Sequence, residues 1–154
     1  MKHGIDTGFL VAAEVVEHAC HIAARERIAG LVAIGDEFAL APQVLAEFIH
    51  VVTDPRRFAR PLDMEEARDL AQKWWTAREI TQIAPGKVAV EQFFVWHRLH
   101  SLGRKRILDT LLAATYRSAG ITSLLTTNAS DFAILGEFEF IAPQGRCDNP
   151  TAVF

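Results

Sequence analysis

Four acidic residues in this 154-residue chain occupy positions from which they could act together in catalysis. Asp6 follows a short apolar segment at the N-terminus, and Glu47 lies within an apolar helical pattern. Asp109 begins a second such pattern, and Asp131 follows another apolar segment together with Asn128. Clustered carboxylates repel one another, and a divalent cation is the simplest compensation. Mg²⁺ prefers such oxygen ligands, and two ions ~4 Å apart could support phosphodiester cleavage.

Each of these acids also has a purely structural interpretation. Asp6 and Asp109 are of a residue type that commonly caps helices. Glu47 could pair with an arginine such as Arg56 or Arg117, and the fourth acid could be a turn residue. Taken singly, each residue fits the structural interpretation, whereas their shared position at element ends favours a metal site.

The hydrophobic pattern predicts short strands that alternate with amphipathic helices. The predicted strands are residues 1–5, 38–40, 79–83, 122–126 and 138–141. The predicted helices are residues 11–34, 42–52, a helix capped by Asp63 and Glu66, 87–102 and 107–118. This alternation favours an α/β fold with a mostly parallel, covered sheet, in which side chains beyond the carboxyl ends of the strands converge on one crevice.

Length and composition limit the function classes. One domain over residues 1–154 is expected, because no repeat or long linker divides the chain. The net charge of −3 excludes a polycation that grips nucleic acid by total charge, but it does not exclude a nuclease. The N-terminus lacks a secretory pattern and no apolar run reaches the ~18 residues of a membrane span, so a cytoplasmic location is expected. The two cysteines cannot form a disulfide scaffold.

Several segments resemble motifs of the PIN-domain family, and of the VapC-type toxin ribonucleases in particular. The most specific stretches are residues 106–115, RILDTLLAAT, and residues 124–132, LLTTNASDF. The start at residues 4–7, GIDT, the helix segment 45–48, LAEF, and the end at 138–143, FEFIAP, are also similar to family patterns. One departure is Gly8, where the family often has a polar residue. The resemblance covers nearly the whole chain.

The resemblance implies a PIN-like three-layer α/β/α domain with metal-dependent endoribonuclease activity. It implies Mg²⁺, or alternatively Mn²⁺, as cofactor, RNA as substrate, a homodimer, and a cognate antitoxin as partner. Carried over by position, the catalytic and metal-binding acids are Asp6, Glu47, Asp109 and Asp131, with Asn128 as an accessory metal ligand and Thr7 and Thr126 as accessory hydroxyl groups. A non-toxin PIN nuclease in RNA processing and a non-cleaving PIN-like binding domain are the alternatives.

Two basic segments and two histidine pairs add weaker signals. Residues 93–108 contain no acid and carry four cations that could bind RNA phosphates or simply favour a helix C-terminus: Arg98, Arg104, Lys105 and Arg106. A second basic group, equally ambiguous, consists of Arg56, Arg57 and Arg60. The pairs at positions 18 and 21 and at 97 and 100 have zinc-like spacing, but neither has a third ligand nearby.

Overall fold

The computed structural model describes residues 1–143 and residue 147, and it contains one five-stranded sheet. The strands are β1 (Lys2–Ile5), β2 (Glu37–Leu40), β3 (Ile80–Gln82), β4 (Ser123–Leu125) and β5 (Glu139–Ile141). The helices are α1 (Thr7–Glu14), α2 (His21–Ala33), α3 (Pro42–Val52), α4 (Met64–Thr76), α5 (Lys87–Leu99), α6 (Ile107–Ser118) and α7 (Ser130–Ala133), with a 3₁₀ turn at Arg104–Arg106. The predicted α/β class is confirmed.

The sheet is parallel at every pairing, in the order β3-β2-β1-β4-β5. The chain runs outward from β1 to β3 and then returns to the other side of β1. Because crossover connections are right-handed, this reversal places α1–α4 on one face and α5–α7 on the other. Accordingly α1 packs against α2 and α3, α3 packs against α4, and α5 packs against α6. The reversal lies between β1 and β4, where open parallel sheets bind ligands.

The local signals explain most helix boundaries. Pro42 begins α3 at the first helical position, and α4 begins with the predicted capping box of Asp63 and Glu66. Helix α5 ends three residues earlier than predicted, at Leu99, and Ser101 then adopts a left-handed backbone conformation. No helix within the described residues is long and apolar enough to cross a membrane.

The single helix predicted over residues 11–34 is wrong, because this region forms two helices. Helix α1 already begins at Thr7, and Val15 adopts an extended backbone that ends it. The backbone N–H of Cys20 donates to Nδ1 of His18 across the connection, at 3.1 Å. Such side-chain bonds compete with helical hydrogen bonding, which hydrophobic periodicity does not detect. Cys20 also forms a disulfide with Cys147, which joins the start of α2 to the C-terminal segment.

Candidate functional site

The centre of the site lies where β1 and β4 end side by side. Ile5 pairs with Leu125 in the sheet, so the residues that follow them, Asp6 and Thr126, are neighbours. The hydroxyl of Thr126 donates to Oδ2 of Asp6 at 2.9 Å and accepts from the backbone N–H of Asn128 at 3.0 Å. Asp6 occupies the N-cap position of α1 but makes no side-chain capping bond. The Asp6 carboxylate therefore does not act as a side-chain cap of α1.

Burial and neighbouring acids change the protonation of Asp6. Burial raises the pKa of this carboxyl to about 7, and repulsion from Asp109 and Glu47 adds to the rise, although the Thr126 hydrogen bond opposes it. A buried, ionised carboxylate is costly unless a cation compensates it. Asp6 therefore lies in a position that favours binding of a positive charge.

Two residues that the sequence analysis did not single out fix β1 in place. Tyr116 of α6 is fully buried, and its hydroxyl donates to the carbonyl oxygen of Ile5 at 2.7 Å. Its ring lies so close to Gly4 that a Cβ there would come within 2.6 Å of the ring. Glycine at this position allows α6 to approach the strand immediately before Asp6. The glycine and the aromatic residue are 112 positions apart, so no local pattern links them.

Glu47 reaches the site from α3. Val44 and Phe48 are completely buried, whereas Glu47 is on the exposed side of the same helix. The apolar neighbours in sequence therefore do not bury this carboxylate, because they point to a different face of the helix. The hydroxyl of Thr7 donates to Oε2 of Glu47 at 2.8 Å, which ties α3 to the residue after Asp6.

The ion pair that could have given Glu47 a structural role is not formed with either candidate arginine. Arg56 pairs with Asp54, and Arg117 pairs with Glu137 at 2.7 Å. Glu47 instead contributes negative charge that raises the pKa of Asp6 and of Asp109.

Asp109 lies in the first turn of α6 and faces the same centre. The N-cap position of this helix belongs to Arg106, so Asp109 is not a helix cap. Partial burial, followed by repulsion from Asp131 and Glu47, raises the pKa of Asp109 to about 6, and the nearby Arg106 opposes that rise. The four predicted acids therefore lie close enough to repel one another, and they form one electrostatic cluster.

The loop after β4 supplies Asp131 and Asn128. The Nδ2 of Asn128 donates to Asp131 at 2.6 Å, and the Asn128 side-chain oxygen accepts from the Ser130 hydroxyl at 2.6 Å. Asp131 also forms an ion pair with the guanidinium of Arg106. Arg106, predicted as a possible RNA-binding residue, thus directs its side chain towards an acid of the centre.

The acids line an open cleft of about 910 Å³. Of the predicted basic residues, Arg104 and Lys105 line this cleft, whereas Arg98 on α5 does not. Residues that the prediction did not assign to the site also line it: His18, Arg56, Arg57 and Phe58. These residues follow two different helices, so their convergence depends on how α1 and α3 pack together.

The donor set fits a hard divalent cation. Carboxylate oxygens, two threonine hydroxyls and an amide oxygen are the ligand types that Mg²⁺ and Mn²⁺ accept. Within residues 1–143 and 147, however, no three His, Cys, Asp or Glu side chains lie close enough to hold an ion directly. The fit is therefore to an ion that keeps part of its water shell, as Mg²⁺ commonly does. The histidine pairs likewise gain no third ligand among these residues.

Gly8, the departure from the family pattern, lies at the edge of this cleft. A Cβ at this position would come within 2.7 Å of the Thr127 hydroxyl and 3.6 Å of Asp6. The Thr127 side chain occupies the space that a larger residue at position 8 would need.

Comparison with protein families identifies the domain. The family model of the PIN domain matches residues 5–137, which include all four acids. The chain belongs to the PIN-domain family. A search of curated proteins found no match. The resemblance to the PIN-domain family, which the sequence motifs indicated, is therefore confirmed.

Solved structures with the same fold are distant in sequence. One is VapC20 of Mycobacterium tuberculosis, described as a sarcin–ricin-loop-cleaving toxin, with 18% identity, a TM-score of 0.67, and 87% and 95% of the two chains covered. VapBC-1 of nontypeable Haemophilus influenzae has 15% identity and a TM-score of 0.66, covering 94% of this chain and 100% of that chain. VapBC2 of Rickettsia felis, bound to a promoter DNA fragment, has 16% identity and a TM-score of 0.66, covering 92% and 98%.

Proposed function

We propose that this PIN domain is a divalent-metal-dependent endoribonuclease and the toxin of a toxin–antitoxin pair. The observation that carries the proposal is the convergence of Asp6, Glu47 and Asp109 in an open cleft, close enough to raise the pKa values of Asp6 and Asp109. Carboxylates that repel one another destabilise the fold unless a cation compensates their charge. A divalent cation at this position would also support phosphodiester cleavage.

The positions of the four acids suggest a different metal-binding role for each pair. Asp6 and Asp109 would hold the principal ion, and Glu47 and Asp131 would complete its water shell or bind a second ion. When bound, Mg²⁺ or Mn²⁺ lowers the pKa of a coordinated water and stabilises negative charge on the scissile phosphate. Asn128 remains a candidate accessory ligand through its side-chain oxygen.

The accessory hydroxyl groups orient these carboxylates. Thr126 directs one oxygen of Asp6, and Thr7 does the same for Glu47. Each hydrogen bond leaves the second carboxylate oxygen available to a cation or to its water. Thr7 and Thr126 therefore act as positioning residues, since each holds a carboxylate in one orientation.

The cations at the cleft edge would hold the RNA backbone. Arg104 and Lys105 lie in the 3₁₀ turn just before α6, so they are adjacent to Asp109. Positive side chains beside an acidic centre can bind the flanking phosphates and offset the repulsion between RNA and the carboxylates. This arrangement reconciles a net charge of −3 with an RNA substrate.

Regulation by an antitoxin and assembly as a homodimer complete the proposal. Support for an antitoxin comes from solved neighbours that are toxin–antitoxin complexes, including a further example from Klebsiella pneumoniae at 15% identity and a TM-score of 0.62. A small protein encoded beside this chain that copurifies with it and suppresses its cleavage of RNA would support the toxin assignment over an RNA-processing role.

The decisive experiment is a comparison of RNA cleavage by the wild type and by Asp109→Asn. With Mg²⁺ or Mn²⁺ and no copurifying partner, we expect the wild type to cut RNA and EDTA to stop it. Asp109→Asn keeps the size of the side chain and removes one charge of the cluster, so cleavage should fall at least ~100-fold. Mapping the cut sites after induced expression, beside the same variant, identifies the target. Full activity in the variant, or in EDTA, would contradict the mechanism.

A further inference from the structure

One wall of the acidic cleft is lined by groups that the proposed catalytic centre does not use. Arg56, Arg57 and Phe58 follow the end of α3, and His18 lies in the connection between α1 and α2. All four line the same cleft as Arg104 and Lys105. We call Arg56, Arg57, Phe58 and His18 the arginine wall.

The backbone of the arginine wall is fixed by two carboxylates. Asp54, whose side chain is only 10% exposed, accepts from the backbone N–H of Arg56 at 2.9 Å. Glu17 accepts from the backbone N–H groups of Ala59 and Arg60, at 3.1 and 3.0 Å. Asp54 thus holds a local turn just after α3, and Glu17 ties the residues that follow Phe58 to the α1–α2 connection. Such anchoring at both ends makes the loop a preformed surface.

The two arginine side chains share one counter-ion and stay in contact with solvent. The guanidinium of Arg56 donates to both oxygens of Asp54, at 3.1 and 3.2 Å, and Nε of Arg57 lies 3.7 Å from the same carboxylate. The side chains of Arg56 and Arg57 remain 86% and 59% exposed. Two cations against a single anion leave one net positive charge on this segment, with exposed guanidinium donors that can bind phosphate.

Phe58 and His18 add flat surfaces next to this charge. Phe58 is partly buried, packs against the hydrophobic core and still lines the cleft. The Nδ1 of His18 accepts the Cys20 N–H, so the proton of the neutral ring is on Nε2. Flat rings beside guanidinium groups are the combination that binds single-stranded nucleic acid, because bases stack while phosphates pair.

We propose that the arginine wall is a binding subsite for the single-stranded RNA that flanks the scissile phosphate, with Arg56 and Arg57 on phosphates and Phe58 stacked on a base. This inference rests on the proposed nuclease function, since it assigns the path of that substrate. RNA would then cross the acidic centre between two cationic edges, one at Arg104 and Lys105 and the other at the arginine wall.

The test measures RNA binding without cleavage. Binding of a labelled single-stranded RNA in EDTA is followed by fluorescence anisotropy as a function of salt. For Arg56→Gln/Arg57→Gln we expect a roughly tenfold weaker affinity near 0.15 M salt, and a salt slope reduced by about 1.4, as for two lost phosphate contacts. Phe58→Leu keeps an apolar side chain but removes the aromatic ring, so it should weaken binding roughly tenfold without changing the slope.

A matched control removes the same charge elsewhere. Arg60 belongs to the same segment but lines a separate hollow with Val16 and Leu62, and Arg68 is exposed on α4. Arg60→Gln/Arg68→Gln should bind RNA within about twofold of the wild type, because its cations do not reach the cleft. Thermal melting of each variant checks that it is folded.

The outcomes separate this inference from the proposed function. Equal RNA affinity in Arg56→Gln/Arg57→Gln and the wild type overturns the arginine wall as an RNA subsite and leaves it to a protein partner. Equal losses in this variant and in the control also overturn it, because only total charge would then matter. Wild-type protein that binds RNA through the arginine wall but never cleaves it would contradict the nuclease and retain the subsite.

Discussion

Two parts of the acidic centre, which we call the strand half and the loop half, are held by the fold in different ways. The strand half is Asp6 with Thr126 and Tyr116, and all three side chains are buried. The loop half is Asp131 with Arg106 and Asn128, and its ion pair is partly exposed, at 28% and 34% for the two charged side chains. Among the residues that the structure describes, the carboxylate of the strand half has no ion-pair partner, whereas the acid of the loop half pairs with Arg106.

The strand half therefore carries an electrostatic cost, whereas the loop half can change its geometry. In the strand half, hydrogen bonds and packing fix the Asp6 carboxylate. Only protonation or an added cation can therefore lower the free-energy cost of its buried negative charge. In the loop half, Arg106 can move away when another cation approaches Asp131, because both side chains reach solvent. In the proposed mechanism, the strand half would fix the position of the cation, and the loop half would adjust to it.

The largest expected effect is on the strand half without metal. Asp6 has a pKa of about 7 in the folded protein, above its ordinary value of 3.8, so the native state holds this proton more tightly than the unfolded chain. Stability should therefore fall as the pH rises from about 4 to about 7 and then remain level. Asp6→Asn removes this loss, and in EDTA at pH 8 it should raise the free energy of unfolding by about 2–4 kcal/mol.

Urea unfolding at pH 8 and at pH 4 measures this effect. The gain from Asp6→Asn should shrink towards zero at the lower pH, where Asp6 is protonated. The matched variant in the loop half, Asp131→Asn, loses a partly exposed ion pair and should change stability by less than ~1 kcal/mol. A stabilisation by Asp131→Asn as large as that by Asp6→Asn would remove the distinction between the halves.

A smaller effect on stability is expected from a larger residue at position 4, where β1 packs against Tyr116. Gly4→Ala adds a Cβ that would lie within 2.6 Å of the fully buried Tyr116 ring. Overpacking of this kind should cost about 1–3 kcal/mol, which corresponds to a decrease in Tm of roughly 2–12 °C for a domain of this size. RNA cleavage should fall as well, because Asp6 directly follows β1 and is positioned by it.

Differential scanning calorimetry measures this change, and Gly86→Ala is its control. Gly86 precedes α5, has a negative φ, and a Cβ there meets nothing within 4 Å. We expect its Tm to stay close to that of the wild type. An unchanged Tm in Gly4→Ala would show that the Tyr116 ring can shift without loss.

The sequence predicts the acids that follow strands, Asp6 and Asp131, more directly than the acids on helices, Glu47 and Asp109. Asp6 could be placed because a strand end in a parallel sheet has a known direction, and the short apolar segments before Asp6 and Asn128 mark such ends. The capping pair and Pro42 likewise act within a few residues, so α3 and α4 were predicted at their correct starts.

Long-range packing explains what the sequence did not predict. The contact between Gly4 and Tyr116 joins distant parts of the chain, and the arginine wall forms only when the ends of α1 and α3 meet. The position of Glu47 on an exposed helix face also depends on which face the core takes, because its sequence neighbours are mostly apolar. Periodicity finds elements, but it does not reveal which of their ends come together.

The smallest expected effect concerns the counter-ion of the loop half. If Arg106 pairs with Asp131 until a metal ion binds, Arg106→Gln removes a competitor for that carboxylate. One repelling charge near a divalent ion is worth about 1 kcal/mol, so this variant should bind Mn²⁺ roughly three- to tenfold more tightly than the wild type. Isothermal titration calorimetry measures the affinity. Arg104→Gln is the matched control, because Arg104 lines the cleft but forms no ion pair among the described residues. Its Mn²⁺ affinity should change less. Weaker Mn²⁺ binding by Arg106→Gln would instead mean that the arginine holds Asp131 in its binding orientation, and the loop half would then be as preorganised as the strand half.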